Sequence, residues 1–200
     1  MGEGRPVAER GLFAPDAVVV RQPARSRWRR YVGPALSVST VEGSLIAQVT
    51  HADDTHSLLA DTSGECIVRI ERRPRFGPFG PVQFRFTDSA GVETGSAVAR
   101  GFMKTRRLTL RARRGRHVLL SRQGHLSHEW LLAEADPKGD PVPEPLGRVT
   151  VNTTDPWLGL QRYLVEMNLL LDASERRTVV ASVVCLHLLR RPAGGSAAPA

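Results

Sequence analysis

The stretch TVVASVVCLHLL, residues 178–189, decides the fold. Its apolar side chains do not keep to one stripe; they occupy nearly every face, with Ser182 and His187 as interruptions. Valine favours strands, so propensity alone does not assign the segment. Length does, because a strand running over 172–191 would be unusually long. The ends agree with a helix. Asp172 and Ser174 are candidate N-caps, Glu175 is an acid in the first turn, and Arg190, Arg191 and Pro192 mark the stop. A helix that is apolar all round must be buried all round. Its apolar run of about 11 residues is well short of the ~20 needed to span a bilayer. The rest of the chain therefore has to wrap it.

The rest of the chain carries the pattern of half-buried strands. Val82, Phe84 and Phe86 alternate with Gln83, Arg85 and Thr87. Cys66, Val68 and Ile70 alternate with Glu65, Arg69 and Glu71, with Ile67 out of phase. Leu108, Leu110 and Ala112 alternate with Arg107, Thr109, Arg111 and Arg113. Val149 and Val151, and then Tyr163, Val165 and Met167, repeat the pattern, with Leu164 as an exception. Turn dipeptides separate the runs: Glu42-Gly43, Ser63-Gly64, Ala90-Gly91, Arg114-Gly115 and Gln123-Gly124. Segments 17–21, 35–39, 45–50, 57–61, 93–100, 117–121 and 129–133 bring the total to roughly twelve candidate strands at barrel-like spacing. No helical crossovers of the kind a parallel sheet requires are evident. The fold class expected is mainly β: a closed antiparallel barrel of about twelve strands around a buried hydrophobic C-terminal helix near Ala173–Arg190. Gly43, Gly95 and Gly147 recur at equal spacing, an echo read as recurring hairpins.

A chain of 200 residues with 41% apolar residues, three Trp and six Phe can bury such a core in one domain. That domain is expected over 12–191, between disordered tails at 1–11 and 192–200. The N-terminus is polar, with no apolar signal-peptide core following it. Cys66 and Cys185 form no C-x-x-C pair and read as buried free thiols in a reducing compartment. The expected location is the cytoplasm, peripheral at a membrane if lipid is the partner. Net charge is +8, the sequence pI is near 10.8, and the only lysines are Lys104 and Lys138. Such a balance favours anionic partners: lipid headgroups, an acidic protein surface or nucleic acid.

The C-terminal third carries a resemblance. The strand YLVEMN is followed by LLLDASERR and the apolar helix, while upstream Asp88-Ser89-Ala90-Gly91 precedes Gly95-Ser96-Ala97-Val98. Over roughly 12–191, this order resembles the phospholipid scramblase-related and LURP-one-related proteins of the Tubby C-terminal-like fold. The resemblance implies a closed antiparallel barrel around a central helix. It also implies a non-enzymatic module with a basic exterior, for which Lys104 and Arg106 are a Lys-x-Arg candidate. The cysteine cluster and membrane-inserting C-terminus of scramblases proper have no counterpart here, which argues against lipid scrambling.

Three basic stretches are the candidate sites. The first is Lys104, Arg106, Arg107, Arg111, Arg113, Arg114 and Arg116; on a strand, Arg107, Arg111 and Arg113 share a face. The second is Arg72, Arg73 and Arg75, beside the Phe-Gly-Pro loop. The third is Arg25, Arg27, Arg29 and Arg30 around Trp28 and Tyr31. Guanidinium forks suit phosphate oxygens, and adjacent aromatics suit a membrane interface or stacked bases. A binding module for anionic phospholipid or a protein partner is therefore expected, with nucleic acid as the runner-up. A small hydrolase or metal enzyme is the third reading. No nucleophile elbow, P-loop, dinucleotide fingerprint or zincin motif is present, and no cofactor is implied. His51, Asp53, Asp54 and His56 are metal-ligand types, but their position between two strands reads as a polar hairpin loop. His187 on the apolar helix reads as a hydrogen-bonded core histidine.

Overall fold

A computed structural model describes residues 13–23, 35–51, 53, 55–74, 80–100, 107–113, 116–124, 127–135, 141–155 and 160–190. Both expected tails, 1–11 and 192–200, therefore lie wholly outside the described residues. Twelve strands and one helix follow in order: β1 Ala17–Arg21, β2 Leu36–Thr40, β3 Leu45–His51, β4 His56–Asp61, β5 Cys66–Pro74, β6 Val82–Thr87, β7 Glu93–Arg100, β8 Arg107–Ala112, β9 His117–Arg122, β10 Glu129–Ala135, β11 Pro141–Asp155, β12 Leu160–Met167 and α1 Ala173–Arg190. Each strand pairs antiparallel with its sequence neighbours, and β1 closes the sheet onto β12. This is the closed barrel that the alternation predicts. Closure leaves no edge strand of the kind an open sheet has.

The helix fills the barrel. Residues 178–187 are buried without exception, so no face of this segment meets water. A wall on every side is the only arrangement that achieves this. Thr178 and Ser182 are tolerated there because their hydroxyls donate back to the carbonyls of Ser174 (3.0 Å) and Thr178 (2.6 Å). The N-terminus carries a reciprocal cap. Asp172 Oδ1 accepts from the Glu175 amide at 2.9 Å, and Glu175 Oε2 accepts from the Asp172 amide at 2.9 Å. Inward side chains complete the core, among them Trp130, Tyr163, Phe84, Phe86, Leu110 and Leu120. The helix packs most closely on β7 and β8. Gly95 sets that approach: a Cβ there would meet Arg111 O at 2.7 Å and Thr178 Oγ1 at 3.1 Å.

Arg176 locks the helix base. Its buried guanidinium donates to the carbonyls of Leu171 (3.1 Å), Ala14 (3.0 Å), Pro15 (3.0 Å), Phe13 (3.4 Å) and Asn168 (3.1 Å), and to Asp16 Oδ1 (3.2 Å). One side chain thus ties the segment before β1 to the β12–α1 turn and to the helix.

In an up-and-down barrel successive connections alternate between the two ends. The helix starts at the end that holds the β2–β3, β4–β5 and β6–β7 hairpins, here the proximal end. These three hairpins are built alike. In each, a Thr or Asp closes the turn with backbone bonds to the residue four on and from the glycine three on: Thr40 with Ser44 and Gly43, Asp61 with Glu65 and Gly64, Asp88 with Val92 and Gly91. The glycines adopt φ of 99°, 88° and 80°, the left-handed position such turns require.

Three details depart from the sequence reading. The glycine echo is not a structural repeat, because Gly43 sits in a turn while Gly95 and Gly147 sit within β7 and β11. Strand β11 begins well before Arg148, at Pro141. This half of β11, with Pro141, Pro143 and Pro145, runs past the end of β12, where Met167 pairs with Gly147, and pairs with β10 only through register shifts, Pro145 with Ala133 and Pro141 with Ala135. Strand starts, edges and bulges are where a sheet tolerates prolines. Cys66 is only half-buried, although Cys185 is fully buried and its thiol is pushed up by loss of solvent. No helix among the described residues is long and apolar enough to cross a membrane.

Candidate functional site

The first basic stretch is partly brought together. Leu108, Leu110 and Ala112 of β8 point into the barrel, so Arg107, Thr109 and Arg111 point out, and Arg113 follows exposed in the turn. All three arginines are exposed, and none has a carboxylate within ion-pair distance among the described residues. Arg107 is in register with Arg100 on β7 and Ser121 on β9, and Arg111 with Ser96 and His117. Strand rise puts Arg107 and Arg111 roughly 13 Å apart. Arg107 lies at the distal end of the barrel, where the helix finishes, while Arg111 and Arg113 lie at the proximal end. Lys104, Arg106 and Arg114 fall outside the described residues.

Arg116 leaves this group. It lies in line with inward-facing Val118 at the proximal rim, bonding Glu134 Oε2 at 2.8 Å and Glu175 Oε1 at 3.4 Å. The Glu134 bond, with the charge of both carboxylates, holds its guanidinium even more firmly protonated than usual. It steadies the helix base and offers nothing to a ligand.

The second stretch divides. Arg73 is exposed, but its fork is spent on Glu71, with Nε to Oε1 at 2.6 Å and Nη2 to Oε2 at 2.9 Å. That bond holds the Glu71 carboxyl below the usual carboxylate range. Arg72 is in register with inward-facing Phe84, so it faces the opposite side of the sheet from Arg73 and is half-buried. Adjacent strand residues diverge, and this pair cannot form one anion site. Arg75 and the whole third stretch, Arg25, Arg27, Arg29 and Arg30 with Trp28 and Tyr31, lie outside the described residues.

The remaining candidates have structural roles. Asp53 Oδ1 accepts from the amides of Thr55 (2.7 Å) and His56 (2.6 Å), which makes the β3–β4 connection a polar hairpin loop. His51 pairs with buried Ser57 at 2.8 Å. Asp54 lies outside the described residues, and among those described no three ligand-type side chains converge. His187 is buried, with Nδ1 3.3 Å from Tyr163 Oη and the two rings edge to face. The Tyr163 hydroxyl in turn donates to Gln161.

Reasoning from the sequence missed two features. The six large apolar side chains that are exposed among the described residues are Val41, Leu45, Val92, Val142, Leu169 and Leu170. Every one belongs to the proximal end, in hairpin tips, strand starts or the β12–α1 turn. Leu169 and Leu170 are the most open, at 78% and 63% exposure. The second feature is a cross-strand arginine pair, Arg21 with Arg162.

The class defined here is a closed twelve-stranded antiparallel barrel filled by its own C-terminal helix, with arginines left uncompensated on its outer wall. Comparison with known protein families, with curated proteins and with solved structures finds no match to this chain.

Proposed function

We propose that the chain is a non-enzymatic binding module, of the scramblase-related and Tubby-like class, that docks peripherally on membranes carrying anionic phospholipid. The observation that carries this reading is one conjunction. Uncompensated Arg111 and Arg113 share the proximal end with exposed Val92, Leu169 and Leu170. Apolar tips that enter the acyl boundary, flanked by arginines on the headgroup phosphates, are what an interfacial protein needs. A surface for single-stranded nucleic acid combines aromatic platforms with its basic groups. The aromatics that motivated that reading lie outside the described residues. The filled interior supports binding on the outside, since Val179 to Leu186 and the large inward side chains occupy the space a barrel enzyme would give to substrate. Glu42, Asp61, Glu65 and Asp88 lie on the three hairpins of this end. The contact therefore tilts toward the β8 side.

Co-sedimentation with phosphatidylcholine vesicles, alone or doped with phosphatidylserine or phosphoinositide, at two salt concentrations tests this. Binding is expected only to the anionic vesicles. Arg111→Gln with Arg113→Gln, or Leu169→Asn with Leu170→Asn, should each reduce it roughly tenfold or more. Absence of binding to every composition at low salt sinks the proposal. A gel shift with steep salt dependence in its place moves the reading to nucleic acid.

A further inference from the structure

We infer that Arg21 and Arg162 form a second anion site, separate from the proposed membrane contact, that takes a phosphate monoester or an equivalent tetrahedral dianion. The two residues are far apart in sequence, yet they are direct antiparallel partners on β1 and β12. Both are exposed on the outer face. Cross-strand partners hold their Cβ atoms about 5 Å apart, and like charges so placed repel. Five other arginines of the described residues are each compensated by a carboxylate. Arg73 faces Glu71, Arg85 faces Glu93, Arg116 faces Glu134, Arg148 faces Glu129 and Arg176 faces Asp16. Arg21 and Arg162 face each other.

The surroundings make the pair a site, not a chance of register. Asn152, exposed on β11, is the next partner of Arg162 and adds an amide donor to the row. One step along the same face stand Val19, Leu164 and Thr150, none of them acidic. Glu166 lies four residues along β12 from Arg162, roughly 13 Å away by strand rise. The pair does not fray, because the ladder continues past it. The Gln22 amide donates to Gln161 O at 3.1 Å, and the Gln161 amide donates to Gln22 Oε1 at 3.0 Å. Two guanidinium forks at this spacing can share one tetrahedral oxyanion between them, each giving paired N–H donors. The pair sits at the distal end and five strands round the barrel from β8. It is therefore independent of the membrane-docking proposal.

The chemistry fits a phosphate on a small molecule or on a lipid headgroup, and the experiment has an arm for each. The full chain is titrated at constant ionic strength with inorganic phosphate, with glycerol phosphate, and with phosphatidylcholine vesicles doped with phosphatidic acid. Binding is followed by the arginine Nε–Hε resonances and by the melting temperature. Saturable binding is expected, weakened roughly tenfold or more by Arg21→Gln and by Arg162→Gln. Arg69→Gln removes an exposed, uncompensated arginine from another wall and should leave it unchanged. Without phosphate, the Arg21 and Arg162 variants should melt no lower than the parent, since each relieves a repulsion. Saturation by the soluble phosphates identifies a soluble ligand, and saturation by the vesicles alone identifies a headgroup; both support the site. Three results overturn it: no saturation by any probe, equal loss in Arg69→Gln, or phosphate binding intact without the pair. Failure at β8 with success here, or the reverse, separates this proposal from the preceding one.

Discussion

Arg176→Ala should be the most damaging single substitution outside the apolar core. The side chain is only 6% exposed, and its guanidinium serves five backbone carbonyls and Asp16. Truncation leaves those carbonyls without their donor at the base of the barrel. A single buried group stripped of its partner costs ~1–3 kcal/mol, and bonds to a charged donor lie at the upper end of that range. The bonds share one donor, so their costs do not add. Several carbonyls stranded at once put the expected cost at roughly 3–5 kcal/mol, above that of a single group. For a domain of this size that lowers the melting temperature by roughly 6–20 °C. Asp16 contributes little to this, because its side chain is 65% exposed and its ion pair is screened by solvent. Asp16→Asn should therefore cost under about 1 kcal/mol. Arg176→Lys should rescue little, because an ammonium cannot reproduce the fork. Urea unfolding followed by circular dichroism measures all three variants. An Arg176→Ala protein within about 0.5 kcal/mol of the parent, or full rescue by lysine, would refute the latch.

Other perturbations probe the same architecture. Val183 is fully buried mid-helix, so Val183→Asp should cost several kcal/mol and yield no cooperatively folded protein; a sharp melt of soluble mutant contradicts a helix inside the barrel. Gly147→Ala puts a Cβ 2.2 Å from Glu166 O, and Gly95→Ala puts one 2.7 Å from Arg111 O. Denaturant midpoints should therefore drop for both by about 1–3 kcal/mol or more, further for Gly147, and reversal of that order would show that the wall yields more easily than its geometry implies. Hydrogen bonds from Ser63 and Glu65 lower the Asp61 pKa in the folded state. The unfolded chain then binds more protons, so this contribution is present above the ordinary carboxylate range and is lost as pH falls through the lowered folded value. Asp61→Asn should flatten the acid limb of a melting-temperature profile; an unchanged limb would show that Asp61 does not contribute.

Much of the architecture could be read from residue order because each element is locally consistent. Period-two runs such as 82–87 and 107–112 can bury only one face, and 179–186, apolar on every face but for Ser182, can be buried only inside something. What stayed hidden depends on contacts between distant segments. The half of β11 that holds Pro141, Pro143 and Pro145 is legible only once β11 is seen to outrun β12. Arg116 looks like one more basic residue until Glu134 and Glu175 converge on it. Arg72 and Arg73 look like a cluster, although alternation alone should have separated them. The Arg21–Arg162 pair exists only because the barrel closes between its first and last strands. Arg176 did leave a signal: a cation in the first turn opposes the helix dipole, so it needed partners from elsewhere. The apolar proximal end left none, because single exposed leucines and valines are ordinary until topology gathers them.

The central claim is that α1 is enclosed on every side by a closed wall, and native-state amide hydrogen exchange tests it most directly. The enclosure predicts that amides from Thr178 to His187 exchange only through global unfolding, with the same opening free energy as the inner strands β7 and β8. Exchange of the helix through a smaller opening, while β7 and β8 stay protected, would mean that it rests against the barrel without being enclosed.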